Sequence, residues 1–307
     1  MEASSNLASK NQHQHVTKDT EKRITPTLVA CRPTWFDVHY KINPWMRPLE
    51  WEKNSGTLSE KAGTGWEKMR HAFEKLGFTV LLVEPAQGLP DLVFTANAAV
   101  VLDGRVLLSR FRFQERQGEE AHFKTFFDDL LKQGTVKEVA SLPEGLAQEG
   151  AGDCIWDPVR KLFWAGHGPR SDQRATTYIG EFFGREVVPL SLSTNEFYHL
   201  DVSMCPLSKG HVMYYPGAFS EASQRAIEER VGPELVLPLN REDADLFALN
   251  AVNFGDKIVM SACTKDLEQK LNDRGYEIVR VPVEVFNLAG GSAWCLILRL
   301  DLESNTA

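Results

Sequence analysis

A strand–turn–strand signature recurs four times along this chain at intervals of about fifty residues, and that period limits the possible folds more than any single motif does. Segments 98–101 and 105–109 flank Asp103-Gly104, and segments 154–156 and 162–164 flank Asp157-Pro158. Segments 202–206 and 211–215 flank Ser208-Lys209-Gly210, and segments 251–254 and 257–261 flank Gly255-Asp256. Apolar runs with turn-forming residues between them read as β-hairpins. Each hairpin precedes a stretch with helical spacing (119–133, 172–183, 220–231, 265–274) and then a short apolar strand (136–140, 186–190, 234–237, 276–281). The repeating unit is therefore ββαβ.

A fifth unit can be assembled from the two ends of the chain. Its hairpin comes from 293–301 and 27–32, its helix from 58–76 and its closing strand from 79–83. Five such units predict a single α/β domain over 27–304, a closed ring around a central channel, in preference to an open α/β sheet with unrelated hairpins. Residues 1–26 are polar and poor in aromatics and are expected to form a disordered arm. His13 and His15 in that arm read as solvated residues and not as metal ligands.

With 307 residues, of which 43% are hydrophobic and 25% charged, the chain can build a substantial core. A net charge of −8 argues against a nucleic-acid partner and is compatible with a small cationic substrate. The five cysteines include no C-x-x-C pair, the segment after Met1 is polar, and no Asn-x-Ser/Thr sequon occurs. These features lead to the expectation of a reducing, cytoplasmic compartment. The apolar runs are too short to span a bilayer, so no membrane association is expected. The oligomeric state stays open.

Reactive residue types fall at matching points of the repeat. Asp91 and Asn97 precede the first hairpin, Glu149 and Asp153 the second, His199 and Asp201 open the third, and Cys295 opens the fifth. In a ring, those points converge on the channel. Cys295 ends the glycine-softened run 287–295 and leads into an apolar stretch, which predicts a thiol exposed at a strand edge. A cysteine, a histidine and carboxylates dispersed along the chain, each beside a turn, suit a nucleophilic site assembled in three dimensions. Cys31, Cys154, Cys205 and Cys263 lie in apolar contexts and read as packing residues. No zinc-type spacing, H-E-x-x-H or Walker loop is present, so neither a metal nor an organic cofactor is expected. The 166–170 run (Gly-His-Gly-Pro-Arg) reads as a strand-to-helix turn carrying Arg170.

Four of these motifs, in this order, resemble the guanidino-group-modifying superfamily of arginine deiminases, dimethylargininases and amidinotransferases. They are Pro90-Asp91-Leu92-Val93-Phe94-Thr95-Ala96-Asn97, Glu149-Gly150-Ala151-Gly152-Asp153, His199-Leu200-Asp201 and Gly290-Gly291-Ser292-Ala293-Trp294-Cys295. The resemblance runs from about Thr27 onward and is nearest to the arginine dihydrolases. It implies the five-bladed α/β propeller, or pentein, fold and a hydrolase that needs no cofactor. It also implies that Cys295 is the nucleophile and His199 the general acid/base, and that Glu149 and Asp201 hold a guanidinium. Arg116 and Arg170 match arginines that grip a substrate α-carboxylate, and Asp91 and Asp153 match retained positions.

Two departures bear on the chemistry. An extra residue widens the Glu-Gly-Gly-Asp turn, and Asn97 stands where deiminases carry an aspartate. An amide can donate to a ureido oxygen where a carboxylate cannot. The expected product is therefore ornithine, with carbon dioxide and two ammonia. Citrulline from a deiminase, a dimethylargininase-like activity, an amidinotransferase, or an inactive propeller serving as a binding module are the alternatives. The tryptophan-rich segment 35–51 reads equally well as a lid or as an interface.

Overall fold

The computed structural model describes residues 25–305, so the arm expected over 1–26, with His13 and His15, lies up to residue 24 outside the described residues. Each repeat folds into its own three-stranded sheet, giving five among the described residues. In the first, Ala99–Leu102 pairs antiparallel with Arg105–Leu108, which pairs parallel with Glu138–Ser141. Cys154–Asp157, Leu162–His167 and Glu186–Ser191 form the second in the same order. Met204–Pro206, Val212–Tyr214 and Val236–Pro238 form the third, and Val252–Phe254, Lys257–Met260 and Glu277–Arg280 the fourth. The fifth closes the ring: Leu298–Arg299 pairs antiparallel with Thr27–Cys31, which pairs parallel with Thr79–Val83. The architecture is the five-bladed α/β propeller.

Local chemistry explains the units. Asp103 and Gly104 both have positive φ, at 56° and 75°, the backbone of a tight hairpin turn that matches strand twist. A right-handed parallel crossover needs a helix between the second and third strands. Those helices are Glu119–Lys132, Ala175–Phe183, Glu221–Val231, Lys265–Asp273 and Pro48–Lys75. They bury residues at i, i+4 spacing, such as Phe123 and Phe127, Ile179 and Phe183, or Leu267 and Leu271, against the sheets.

The 58–76 stretch expected lies almost wholly within Pro48–Lys75, where a short N-terminal segment joins the main helix across a kink at Asn54 (φ −133°, ψ 19°). Pro48 at the first turn, Glu50 near the N-terminus and Lys75 near the C-terminus all favour helix. The third sheet is shorter than expected, because Leu200–Val202 winds into a single 3-10 turn before its first strand begins. No helix among the described residues is long and apolar enough to cross a membrane.

The hub is made by the turns that enter each first strand. Thr95 Oγ donates to both Val29 O (3.0 Å) and Leu296 O (3.1 Å), and Ala96 N–H donates to Cys295 O (3.1 Å). The first unit is thereby fastened to the split fifth one. Segment 35–51, for which the sequence allows two readings, lies across this end of the ring. Asn43 Nδ2 donates to Ala289 O (3.0 Å), Arg47 N–H to Leu288 O (3.0 Å) and Trp45 Nε1 to Glu196 O (2.6 Å).

The helix Pro48–Lys75 meets the hub through Gly65, where a Cβ would fall 2.1 Å from Pro282 O. Backbone on both sides leaves nothing flexible to yield. Gly65→Ala is expected to lose about 2–3 kcal/mol and to lower Tm by roughly 5–10 °C. Thermal unfolding measures this, and an unchanged Tm contradicts the close approach.

Candidate active site

Three short 3-10 turns and one loop carry the reactive side chains inward. Thr95–Ala98 holds Asn97, Gly150–Gly152 sits between Glu149 and Asp153, Leu200–Val202 follows His199 and holds Asp201, and the 290–295 loop holds Cys295. A 3-10 turn advances the chain quickly and turns side chains at i and i+3 to one side, which suits the narrow end of a ring. All of these residues are buried.

The thiol is placed differently from expectation. Cys295 lies in a turn three residues before its strand and is only 2% exposed, so it is enclosed and not displayed at a strand edge. Loop 287–295 is bent back at Gly290, whose φ is +91° and whose Cβ would lie 2.8 Å from the Asn43 side-chain amide. The covering segment and the glycine-rich loop therefore touch directly.

Cys295 Sγ donates to Asp201 Oδ2 at 3.1 Å. Two residues before Asp201, His199 Nε2 lies 2.8 Å from Glu149 Oε2. The opposite face of each group has no protein partner: His199 Nδ1 and Asp201 Oδ1 are both buried and unpaired. Asn97 closes the group from the other side. A Cβ on Gly152 would fall 2.2 Å from Asn97 Nδ2 and 3.4 Å from His199 Nδ1, so the amide and the unpartnered imidazole nitrogen flank one glycine that must stay bare.

The remaining site residues are spent on protein contacts. Glu149 accepts from Arg170 at Oε2 (2.8 Å) as well as from His199, and from Arg112 N–H at Oε1 (3.2 Å). It anchors the imidazole, and both of its oxygens already accept from the protein. Arg170 is stacked between Phe113 and Tyr198, each 4.7 Å from ring centre, and donates to Ile42 O. Arg116 forms a fork with Glu119 (2.8 and 2.7 Å) and donates to Asn97 Oδ1 (2.8 Å) and Asp91 O (3.1 Å).

Neither arginine is free to take a carboxylate as arranged here, because buried guanidiniums keep the partners that offset their desolvation. Asp153 is structural, accepting from Ser171 Oγ (2.5 Å) and Leu200 N–H (3.0 Å). Asp91 stands 3.9 Å from Arg116 Nε. Cys31, Cys154 and Cys205 are packed as expected, and Cys263 is half-buried.

Asn250 went unremarked in the sequence although it belongs to this cluster. It lies two residues before Val252–Phe254, the first strand of the fourth unit, just as Asn97 lies two before Ala99. Its amide donates to Cys295 Sγ at 3.1 Å. The repeat equivalence that picked out four units would have found it. A cavity of about 1210 Å³ opens elsewhere, among hairpin-tip residues such as Pro158, Ser208 and Gly255, and none of the reactive side chains lines it.

Burial dominates the electrostatics. It pushes the Asp201 carboxyl up to about 7, against hydrogen bonds from Cys295 and Asn250, and pushes Asp153 up to about 6. It also pushes the Cys295 thiol well above its ordinary value, with Asp201 adding to the rise. Burial acts on Glu149 in the same sense, but Arg170 and His199 outweigh it and hold that carboxyl well below the usual range. Burial thus favours the neutral thiol at Cys295, beside a carboxyl whose proton is held to far higher pH than an ordinary aspartate's.

A carboxyl whose pKa is higher folded than unfolded keeps its proton longer in the folded state. For Asp201 stability is therefore lost as pH rises from about 4 to about 7. Asp201→Asn removes that loss. Its Tm is expected to exceed the unsubstituted protein's near pH 8 and to match it near pH 4. Thermal unfolding across this range checks it; a difference that does not change with pH contradicts it.

Comparison with known proteins places the chain in a family. The family model described as N,N dimethylarginine dimethylhydrolase, eukaryotic, matches residues 33–302. The bifunctional arginine dihydrolase/ornithine cyclodeaminase ArgZ of Synechocystis is 43% identical over 274 residues, covering 89% of this chain and 37% of that protein. The chain thus spans little more than a third of that relative's length. The N(G),N(G)-dimethylarginine dimethylaminohydrolase of Mycobacterium tuberculosis is 34% identical over 87% of this chain and 83% of its own. The crystal structure of the N-terminal domain of ArgZ bound to product superposes with a TM-score of 0.85 at 41% identity, over 91% of this chain and 99% of that one. The chain belongs to the dimethylarginine dimethylhydrolase family, within the guanidino-group-modifying superfamily.

Proposed function

We propose that this chain hydrolyses the guanidino group of L-arginine through a covalent intermediate on Cys295 and releases ornithine, carbon dioxide and two ammonia. The observation that carries this reading is a pair of unpartnered buried atoms, His199 Nδ1 and Asp201 Oδ1, the second on the carboxyl that the Cys295 thiol contacts. A flat cation with N–H donors at its edge fits Asp201 Oδ1, and its charge favours both the carboxylate and the thiolate that burial disfavours. The similarity to ArgZ, an arginine dihydrolase, points the same way. The ring from 27 to 304 serves as one catalytic domain.

The steps follow from the contacts. The guanidinium enters, the thiol's proton passes to Nδ1 of His199, and Sγ attacks the central carbon to give a tetrahedral adduct. His199, held through Nε2 by Glu149, delivers a proton from Nδ1 to the departing nitrogen. Ammonia leaves, and an S-alkylthiouronium remains. The same Nδ1 then takes a proton from water, which attacks the carbon and frees the thiolate with a ureido group. In a second round Sγ attacks the ureido carbon and a second ammonia departs. Hydrolysis of the resulting thiocarbamate yields a carbamate that breaks down to ornithine and carbon dioxide. Two waters are consumed.

Asn97 is proposed to decide whether the second round occurs. Arg116 donates to its Oδ1, so its NH₂ faces Glu149 O (2.9 Å) and Gly152, with one N–H left for a ligand. That N–H suits the oxygen of a ureido group. The free thiol as nucleophile fits a reducing compartment, and a cytoplasmic location is proposed on that ground.

Incubating the purified protein with L-arginine and quantifying ornithine, citrulline and ammonia tests the reading. Ornithine with two ammonia per arginine is expected; citrulline alone contradicts the second round. Release of dimethylamine from dimethylarginine, with arginine left intact, contradicts the substrate. Asn97→Asp is expected to raise the citrulline-to-ornithine ratio by about tenfold or more, the loss of one hydrogen bond in the second transition state.

A further inference from the structure

Asn250 uses every hydrogen-bonding position of its side chain, and every partner belongs to the nucleophile's loop or to the Asp201 turn. Oδ1 accepts from Ser292 N–H (3.0 Å) and Cys295 N–H (3.2 Å). Nδ2 donates to Asp201 O (3.2 Å) and Cys295 Sγ (3.1 Å). Its main-chain carbonyl accepts from Trp294 N–H (3.2 Å), and the residue is 0% exposed. Both partners of the oxygen are donors and both partners of the nitrogen are acceptors. Turning the amide over would break all four bonds, so its orientation is fixed.

We propose that Asn250 is the positioning residue of the nucleophile: its oxygen sets the 292–295 loop, and its N–H stands ready for the negative charge that develops on Cys295 Sγ. The proposal rests on the reading of Cys295 as nucleophile. A hydrogen bond to a thiolate is stronger than one to a thiol, so a donor already in place favours ionisation and costs no reorganisation during attack. The titratable groups facing the sulfur are Asp201, which opposes its ionisation, and Tyr198, which feels its charge. The Ser292 backbone and the Asn250 amide act in the opposite sense to Asp201. An aspartate at 250 would still accept the two backbone N–H groups but would turn a second anion toward the sulfur. Asn250 is also what the fourth unit contributes to the hub, so all five blades supply a residue to one cluster.

The test is the pH dependence of Cys295 alkylation by iodoacetamide, followed on the peptide containing Cys295 with Cys295→Ser as blank. Asn250→Ala removes both functions of the side chain; Asn250→Asp keeps the loop acceptor, replaces the donor with an acceptor and adds a negative charge beside the sulfur. Both are expected to raise the alkylation midpoint by about one pH unit or more. Both are also expected to lower kcat on arginine about a hundredfold, with KM changed less than about threefold. An unchanged midpoint in either folded variant overturns the proposal, and if the alanine variant fails to fold, the aspartate variant decides. Alkylation needs no substrate. Absence of arginine turnover in the unsubstituted protein would sink the functional reading and leave this measurement intact.

Discussion

Keeping charge inside a ring that excludes water requires a partner for every ion, and the hub of this propeller is organised around that requirement. Glu149 stays ionised because Arg170 and His199 share one of its oxygens while the Arg112 backbone takes the other. Arg116 is offset by Glu119, whose own carboxyl is raised to about 7 by burial. Breaking such a buried pair by removing one partner costs about 3–5 kcal/mol, so these contacts are not free to rearrange for a ligand. Among the site's ionisable side chains, His199 Nδ1, Asp201 Oδ1 and Asp91 Oδ1 remain buried without a protein partner. The charges that are paired hold the geometry, and the groups that are unpaired are left for chemistry.

The same requirement explains why the thiol is at rest protonated. Asp201 and the enclosed surroundings both oppose a thiolate, while the Asn250 amide favours one. A cation arriving between them shifts that balance by supplying the missing charge. In the proposed mechanism, activation is then tied to occupancy, which protects the sulfur until its target is present. Segment 35–51, fixed across the hub by Asn43, Trp45 and Arg47, completes the enclosure.

Much of the architecture was legible from turn chemistry, because Asp103-Gly104 and its counterparts force hairpins at a regular interval. Even the split fifth unit followed, since four ββαβ repeats leave the two ends no partner but each other. Element lengths were less legible. Nothing in the period says that residues 200–202 would wind into a 3-10 turn, or that a short helical segment from Pro48 would precede the first helix across a kink at Asn54. The site's members were visible as residue types beside turns, and their contacts were not. That Arg116 belongs to Glu119 is an i, i+3 relation hidden within a helix start, and the loop leading to Cys295 is held at Ala289 by Asn43, 246 residues away. Asn250 was missed because a lone asparagine after a polar helix carries no motif, even though the repeat marks its position.

Every step of the proposed chemistry passes through a bond between substrate carbon and the sulfur of Cys295. Acid-quenching the protein during turnover of L-arginine, then weighing its peptides by mass spectrometry, looks for that bond. An adduct equal to arginine less one ammonia is predicted, confined to the peptide containing Cys295 and absent from Cys295→Ser. Turnover with no adduct at any quench time, or an adduct on another residue, would contradict the mechanism.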